Sequence, residues 1–167
     1  MEFRGKIQMQ RLTNAFLLKR KDIKPIILFQ NNLISNLNLS YYLVIYSVHK
    51  EYTKIFIYPL DSSLVLKLIL SGKNINSESI NKIINVLKNF KILHSSGIVS
   101  VNDKFLYEVY IYGYLRWRDE ITNYYYIIKN IEGIDSLEEE WIKLSKMKKR
   151  KINNLMRKTN IKDDKND

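Results

Sequence analysis

The chain has 167 residues and a mass near 20 kDa, room for one domain with a tail. Hydrophobic residues make up 46% and charged residues 27%, which excludes a wholly disordered chain and a membrane bundle. Lys and Arg number 28 against 17 Asp and Glu, a net charge of +11, while the absence of cysteine excludes disulfides, thiolate metal sites and cysteine nucleophiles.

The charge sits in a skewed composition, with 24 Ile, 21 Lys and 17 Asn but one alanine, Ala15. These residues have AT-rich codons, so lysine clusters carry less information than in a balanced sequence. The field of a +11 chain still attracts polyanions. The first residues, Met1 to Lys6, form no apolar leader, and runs such as Tyr41 to Tyr46 fall far short of the roughly 20 residues a spanning helix needs. The expectation is a cytoplasmic or otherwise intracellular protein with no membrane partner.

In chain order, Met9, Leu12, Phe16 and Leu17 lie near helical spacing and predict a short N-terminal helix, with Pro25 as a stop. Ile26 to Phe29 reads as a strand or buried turn, and Asn31 to Ser40 as a loop. Tyr41–Val48 and Thr53–Tyr58 are aromatic and β-branched runs separated by four residues, a hairpin pattern. Both faces of the first run are apolar, which predicts a central strand covered on two sides. Asp61, Ser62 or Ser63 can cap a helix over 62–71 that stops at Gly72. Ile80, Ile83, Ile84, Leu87 and Phe90 then define a helix over 77–90, the strongest periodic signal in the chain. Ile92–Val101, interrupted at Ser95-Ser96-Gly97, and Phe105–Leu115 read as strands joined by a tight turn at Asn102-Asp103. Tyr124–Ile128 fits a strand or a helix start. Ser136 with Glu139 forms a capping-box pattern that opens a predicted helix over 136–155. The expected fold class is α+β: an antiparallel sheet of 41–48, 53–58, 98–101 and 105–115 with packed helices. Residues 1–135 would form the domain and 136–167 a basic C-terminal helix with a frayed tail.

The stretch 62–112 thus reads helix, turn, helix, two-stranded hairpin, and in that order it resembles winged-helix DNA-binding domains. The resemblance implies that helix 77–90 enters the major groove. Its outward Asn81, Lys82, Asn85, Lys88 and Asn89 would meet bases and phosphates, with Lys104 on the wing. The chain departs from that family in one respect: only Ser71–Asn76 separates the two helices, too little for the middle helix.

Two further sets of residues suit nucleic acid. In one extended strand, Tyr110, Tyr112, Tyr114, Arg116 and Arg118 share a face that can stack bases and neutralise phosphates. Lys148-Lys149-Arg150-Lys151 is denser than helix-dipole complementation requires. Catalytic patterns are sparse. No Gly-rich phosphate loop occurs, and His49 and His94 fall on different predicted hairpins. A metal-dependent nuclease would need at least two of Glu51, Asp61, Asp103, Glu108, Asp119 and Glu120 to converge. The sequence therefore predicts a non-enzymatic nucleic-acid-binding protein without cofactors, DNA before RNA, acting in regulation or as an accessory factor. The alternative is a small assembly subunit that uses its aromatic strands as an interface with protein partners.

Overall fold

The computed structural model describes residues 11–23, 39–101, 103–113 and 118–145. The N-terminal part is a three-stranded antiparallel sheet. It comprises β1 (Asn14–Lys19), followed by the single turn α1 (Arg20–Ile23), then β2 (Tyr41–Val48) and β3 (Thr53–Leu60), in the order β1-β2-β3. The second part runs β4 (Val65–Lys73), α2 (Ser77–Leu87), β5 (Ile92–Val101), β6 (Lys104–Tyr112), α3 (Arg118–Lys129) and β7 (Ile134–Trp141). Its four strands form a second sheet in the order β5-β6-β4-β7, antiparallel at every junction. Connectivity β-α-β-β-α-β in this strand order is the ferredoxin-like plait.

The side-chain period of two divides the interior. Leu66, Leu68 and Leu70 of β4, with Phe105, Val109 and Ile111 of β6, face the helices. There they meet Ile83, Val86 and Leu87 of α2, Ile128 of α3 and Ile131. On the opposite face of the same sheet, Val65, Tyr110 and Tyr112 pack with Ile142 against Leu17, Leu43, Ile45 and Leu60 of the three-stranded sheet. The molecule is thus layered as helices, four-stranded sheet, three-stranded sheet. Central strand β2 is apolar on both faces, as its sequence predicts, with Tyr42 and Val44 joining Leu18, Phe16 and Ile57 on the outer side.

The α+β character stands, but the helix–helix–hairpin centre and the winged-helix reading do not. Residues 65–73 are strand β4, so no helix precedes α2. The apolar run Val65–Leu70 is compatible with a buried helix or with a strand covered on two sides. Every residue from Val65 to Gly72 is buried, because β4 lies inside its sheet with a layer on each face. Gly72 is no helix stop. A Cβ there would stand 1.7 Å from the Gly133 carbonyl oxygen, where the backbone entering β7 crosses β4, and Gly133 itself has φ of 87°.

Two other predicted helices are also strands. Residues 14–19 form β1, whose Leu17 and Leu18 point to opposite layers. Residues 134–141 form β7, registered along β4 from Ile134 opposite Gly72 to Trp141 opposite Leu66. Pairing with a central strand there overrides the helix preference of Glu138-Glu139-Glu140. The sheet therefore continues past residue 135. Past it, Leu144 forms a parallel bridge to Leu17, and the Ser145 amide donates to the Leu17 carbonyl at 2.8 Å.

The remaining expectations resolve locally. Helix α2 begins where predicted: the Asn76 side chain caps it by accepting from the Ser79 amide at 2.8 Å. Tyr124–Ile128 belongs to helix α3. Strand β5 is one bulged strand rather than two pieces, with register shifts between Ile92 and His94 and between Ser95 and Ile98. In the bulge, Ser96 Oγ accepts from the Glu108 amide at 2.9 Å, replacing a ladder bond. Predicted strand 105–115 ends at Tyr112. Residues 26–29 and 31–38, and the part of the predicted C-terminal helix from 146 onward, lie outside the described residues.

Gly72→Ala is expected to destabilise the protein by about 1–3 kcal/mol or more, because the clash is with backbone rather than a flexible side chain. Gly97→Ala meets open space and suffers only its φ of 72°, costing about 1 kcal/mol. Urea unfolding of the two variants checks the difference.

Candidate nucleic-acid interface and the buried ion pair

Helix α2 buries Ser79, Ile83, Val86 and Leu87 against the sheet, which turns Asn81, Lys82, Asn85 and Lys88 outward on the opposite face. The structure therefore brings these four predicted residues together. They also engage one another and their own helix. Lys82 Nζ pairs with Glu78 one turn earlier at 2.7 Å, and Lys88 Nζ donates to Asn85 Oδ1 at 3.1 Å. The hydrogen bond and charge of Glu78 hold the Lys82 ammonium above the ordinary lysine range. Ile84 is also exposed on α2, so this face is less polar than its sequence pattern suggests.

Lys104 is not on that helix face. It starts β6 opposite Lys73, at the sheet end where β4 leads toward α2, and is exposed. Arg118 opens helix α3 and does not extend β6, so it shares no strand face with Tyr110 and Tyr112. Those tyrosines cannot stack bases, since they are 0% and 1% exposed beneath the three-stranded sheet. Arg116, Lys148, Lys149, Arg150 and Lys151 lie outside the described residues.

Sequence reasoning missed the most polar place in the interior. On the sheet face toward β1, Lys67 of β4 and Glu108 of β6 form an ion pair of 3.0 Å with both side chains almost fully buried. The N-terminal backbone completes it. Leu12 and Thr13 amides donate to the two carboxylate oxygens at 3.0 and 2.8 Å, and the Thr13 hydroxyl donates to Glu108 as well. With that proton committed, Tyr110 Oη donates to Thr13 Oγ1 at 2.8 Å. Lys67 Nζ also donates to the Thr13 carbonyl at 2.8 Å and stands 5.4 Å from the Tyr110 ring centre. Burial pulls the Lys67 ammonium below its ordinary range, and Glu108 opposes that pull. Burial likewise raises the Tyr110 phenol. With its hydrogen bonds made inside the fold, the cluster serves as a structural clasp.

His94 borders this cluster on β5. Its Nδ1 lies 2.9 Å from Tyr58 Oη, and its ring is 4.6 Å from Phe56. His49 stands apart at the β2–β3 turn, stacked on Tyr52 at 4.5 Å. Among the described residues no three His, Asp or Glu side chains gather as a metal site. Glu108, one of the acids a nuclease could use, is committed to Lys67. Among the described residues, no helix is long and apolar enough to cross a membrane.

The fold is a ferredoxin-like plait with an added three-stranded layer, and four of the predicted residues, Asn81, Lys82, Asn85 and Lys88, share one exposed face. No protein-family model matches the chain, and no curated protein matches it. Among solved structures it is similar to the ACT domain from GTP pyrophosphokinase of Chlorobium tepidum, at 17% identity and a TM-score of 0.39. That match covers 46% of this chain and 96% of the other.

Two outcomes are expected here. Lys67→Met leaves a buried carboxylate without its cation and should cost about 3–5 kcal/mol by chemical denaturation. Adding Glu108→Gln should restore part of that loss. Burial also holds the His94 pKa below its ordinary value of about 6.5. The unfolded chain therefore takes up that proton first. Stability from neutral His94 is complete above about pH 6.5 and is lost as pH falls through the folded value. His94→Phe should flatten that dependence in urea midpoints measured from pH 7.5 down to pH 5.

Proposed function

We propose that the protein is a non-enzymatic nucleic-acid-binding protein that grips phosphates with a basic segment carried on a nearly neutral α+β body. The supporting observation is where the charge lies. The described residues hold 15 Lys and Arg against 13 Asp and Glu, a net of +2 out of +11. Residues 146–167 alone carry a net of +6, with eight Lys and Arg and no acid between Lys146 and Lys162. Such a run binds polyanions through counterion release and reads no sequence. The exposed residues Asn81, Lys82 and Asn85 of α2, with Lys88 at its C-cap, would serve as secondary contacts.

A second reading, a subunit of a larger assembly, is favoured by exposed apolar side chains on β3 and β5. Its interface would not be the aromatic strand the sequence suggests, because Tyr110 and Tyr112 are buried.

Binding of the full chain to labelled duplex and single strands across a salt series tests the first reading. Replacing Lys148, Lys149, Arg150 and Lys151 together by Gln should lower the salt slope on duplex DNA by about three to four units. Lys82→Gln with Lys88→Gln should lower it by less than about two. Absence of binding at low salt, or an unchanged slope in the fourfold variant, would overturn the proposal.

A further inference from the structure

Among the described residues, a strand bridge joins the two sheets along one side only, and the other is the open side. On the joined side, β1 bridges to Leu144 just beyond β7. On the open side lie β3, the outer strand of one sheet, and β5, the outer strand of the other. They meet at His94, which contacts Phe56 and Tyr58 of β3. No described strand pairs with the outer edge of either. Exposed apolar side chains collect here: Ile55 and Phe56 on β3, and Ile92, Val99 and Val101 on β5. A long, apolar edge strand is a template for another strand, and proteins that stay monomeric guard such edges with charge.

We infer that this open side docks a second copy of the chain, with the β3 and β5 edges meeting their own counterparts about a two-fold axis. The charge pattern selects that partner. Strand β3 holds one charged residue, Lys54, near its start, and β5 holds no Asp, Glu, Lys or Arg. In antiparallel self-pairing Lys54 faces its own copy only if the axis passes through residue 54. An axis near the strand centre puts apolar side chains opposite it. A polyanion has little to hold on this strip, whereas a second copy offers the same apolar side chains and the same unpaired backbone. Pairing runs along 53–58, ahead of Pro59, and along 98–101, where β5 keeps regular register beyond its bulges.

The opposite side explains why assembly closes at two. There the edge strand β1 is bridged at Leu17 by Leu144. The edge strand β7 carries Asp135, Glu138, Glu139 and Glu140 within eight residues, so self-pairing there would set like charges against each other. With one self-complementary side and one side bridged and guarded by charge, the contact is isologous and does not propagate into a filament.

The test uses the full chain without nucleic acid, so its failure leaves the phosphate-binding reading untouched. Sedimentation equilibrium at up to about 100 μM, a range in which micromolar dimers persist, should give twice the chain mass. Ile55→Lys with Val99→Lys should give the single mass while circular dichroism stays unchanged. Ile84→Lys, on the exposed face of α2, should leave the double mass. Because the chain has no cysteine, Ser100→Cys supplies a readout that does not depend on the lysine variants folding. Treated with a flexible bis-maleimide, which tolerates a shift of the axis along 98–101 that a disulfide would not, it should yield a cross-linked pair, and Ile84→Cys should not. A single mass for the unaltered chain, a double mass that survives Ile55→Lys with Val99→Lys, or cross-linking through residue 84 in place of residue 100 would overturn the inference.

Discussion

A buried ammonium and a buried carboxylate, Lys67 and Glu108, hold the two sheets of this protein in their relative places. Each charge removed from water costs several kcal/mol, so the pair survives only because further hydrogen bonds complete it. Those bonds come from Leu12 and Thr13, at the entrance to β1. The ion pair thus fastens the N-terminal layer to the central sheet. Apolar contacts of Leu17, Leu43, Ile45 and Leu60 then cover the face that the plait would otherwise expose. This covering has a direct functional consequence. The sheet face that carries Tyr110 and Tyr112 is interior and offers no stacking platform to any external ligand.

Charge and exposed apolar side chains fall on different parts of the chain. The charge lies mostly outside the described body, above all in residues 146–167. Ile55 and Phe56 on β3 and Ile92, Val99 and Val101 on β5 are exposed apolar side chains on two edge strands. A body that pairs with its own copy through those edges would carry two basic segments. Two segments on one polyanion raise binding beyond that of either alone, as linked sites do.

Much of this was readable in the residues, and the failures have physical causes. The β2–β3 hairpin and helix α2 were legible because alternation, turn length and helical spacing are local signals. Strand β4 was misread because a strand buried on both faces loses its alternation and imitates a buried helix. Strand β7 was misread because its capping-box pattern is local, while its pairing with β4 is not. The clasp did leave a trace: Lys67 stands alone among Val65–Leu70, and Glu108 alone among Phe105–Tyr112. A single charge inside an apolar run asks for a buried partner of opposite sign. The positions of Asn81, Lys82, Asn85 and Lys88 followed from the periodicity of α2, whereas the burial of Tyr110 and Tyr112 required knowing that a second sheet lies on top.

The most direct measurement is amide hydrogen exchange on the unaltered chain and on Glu108→Gln, which keeps the side-chain size and removes the charge. If the ion pair clasps the layers together, protection should fall first and furthest in β1 and β2, while α2 and the amides of β4 that pair with β6 and β7 keep theirs. Equal loss across both sheets, or full protection retained in β1, would contradict that role for Lys67 and Glu108.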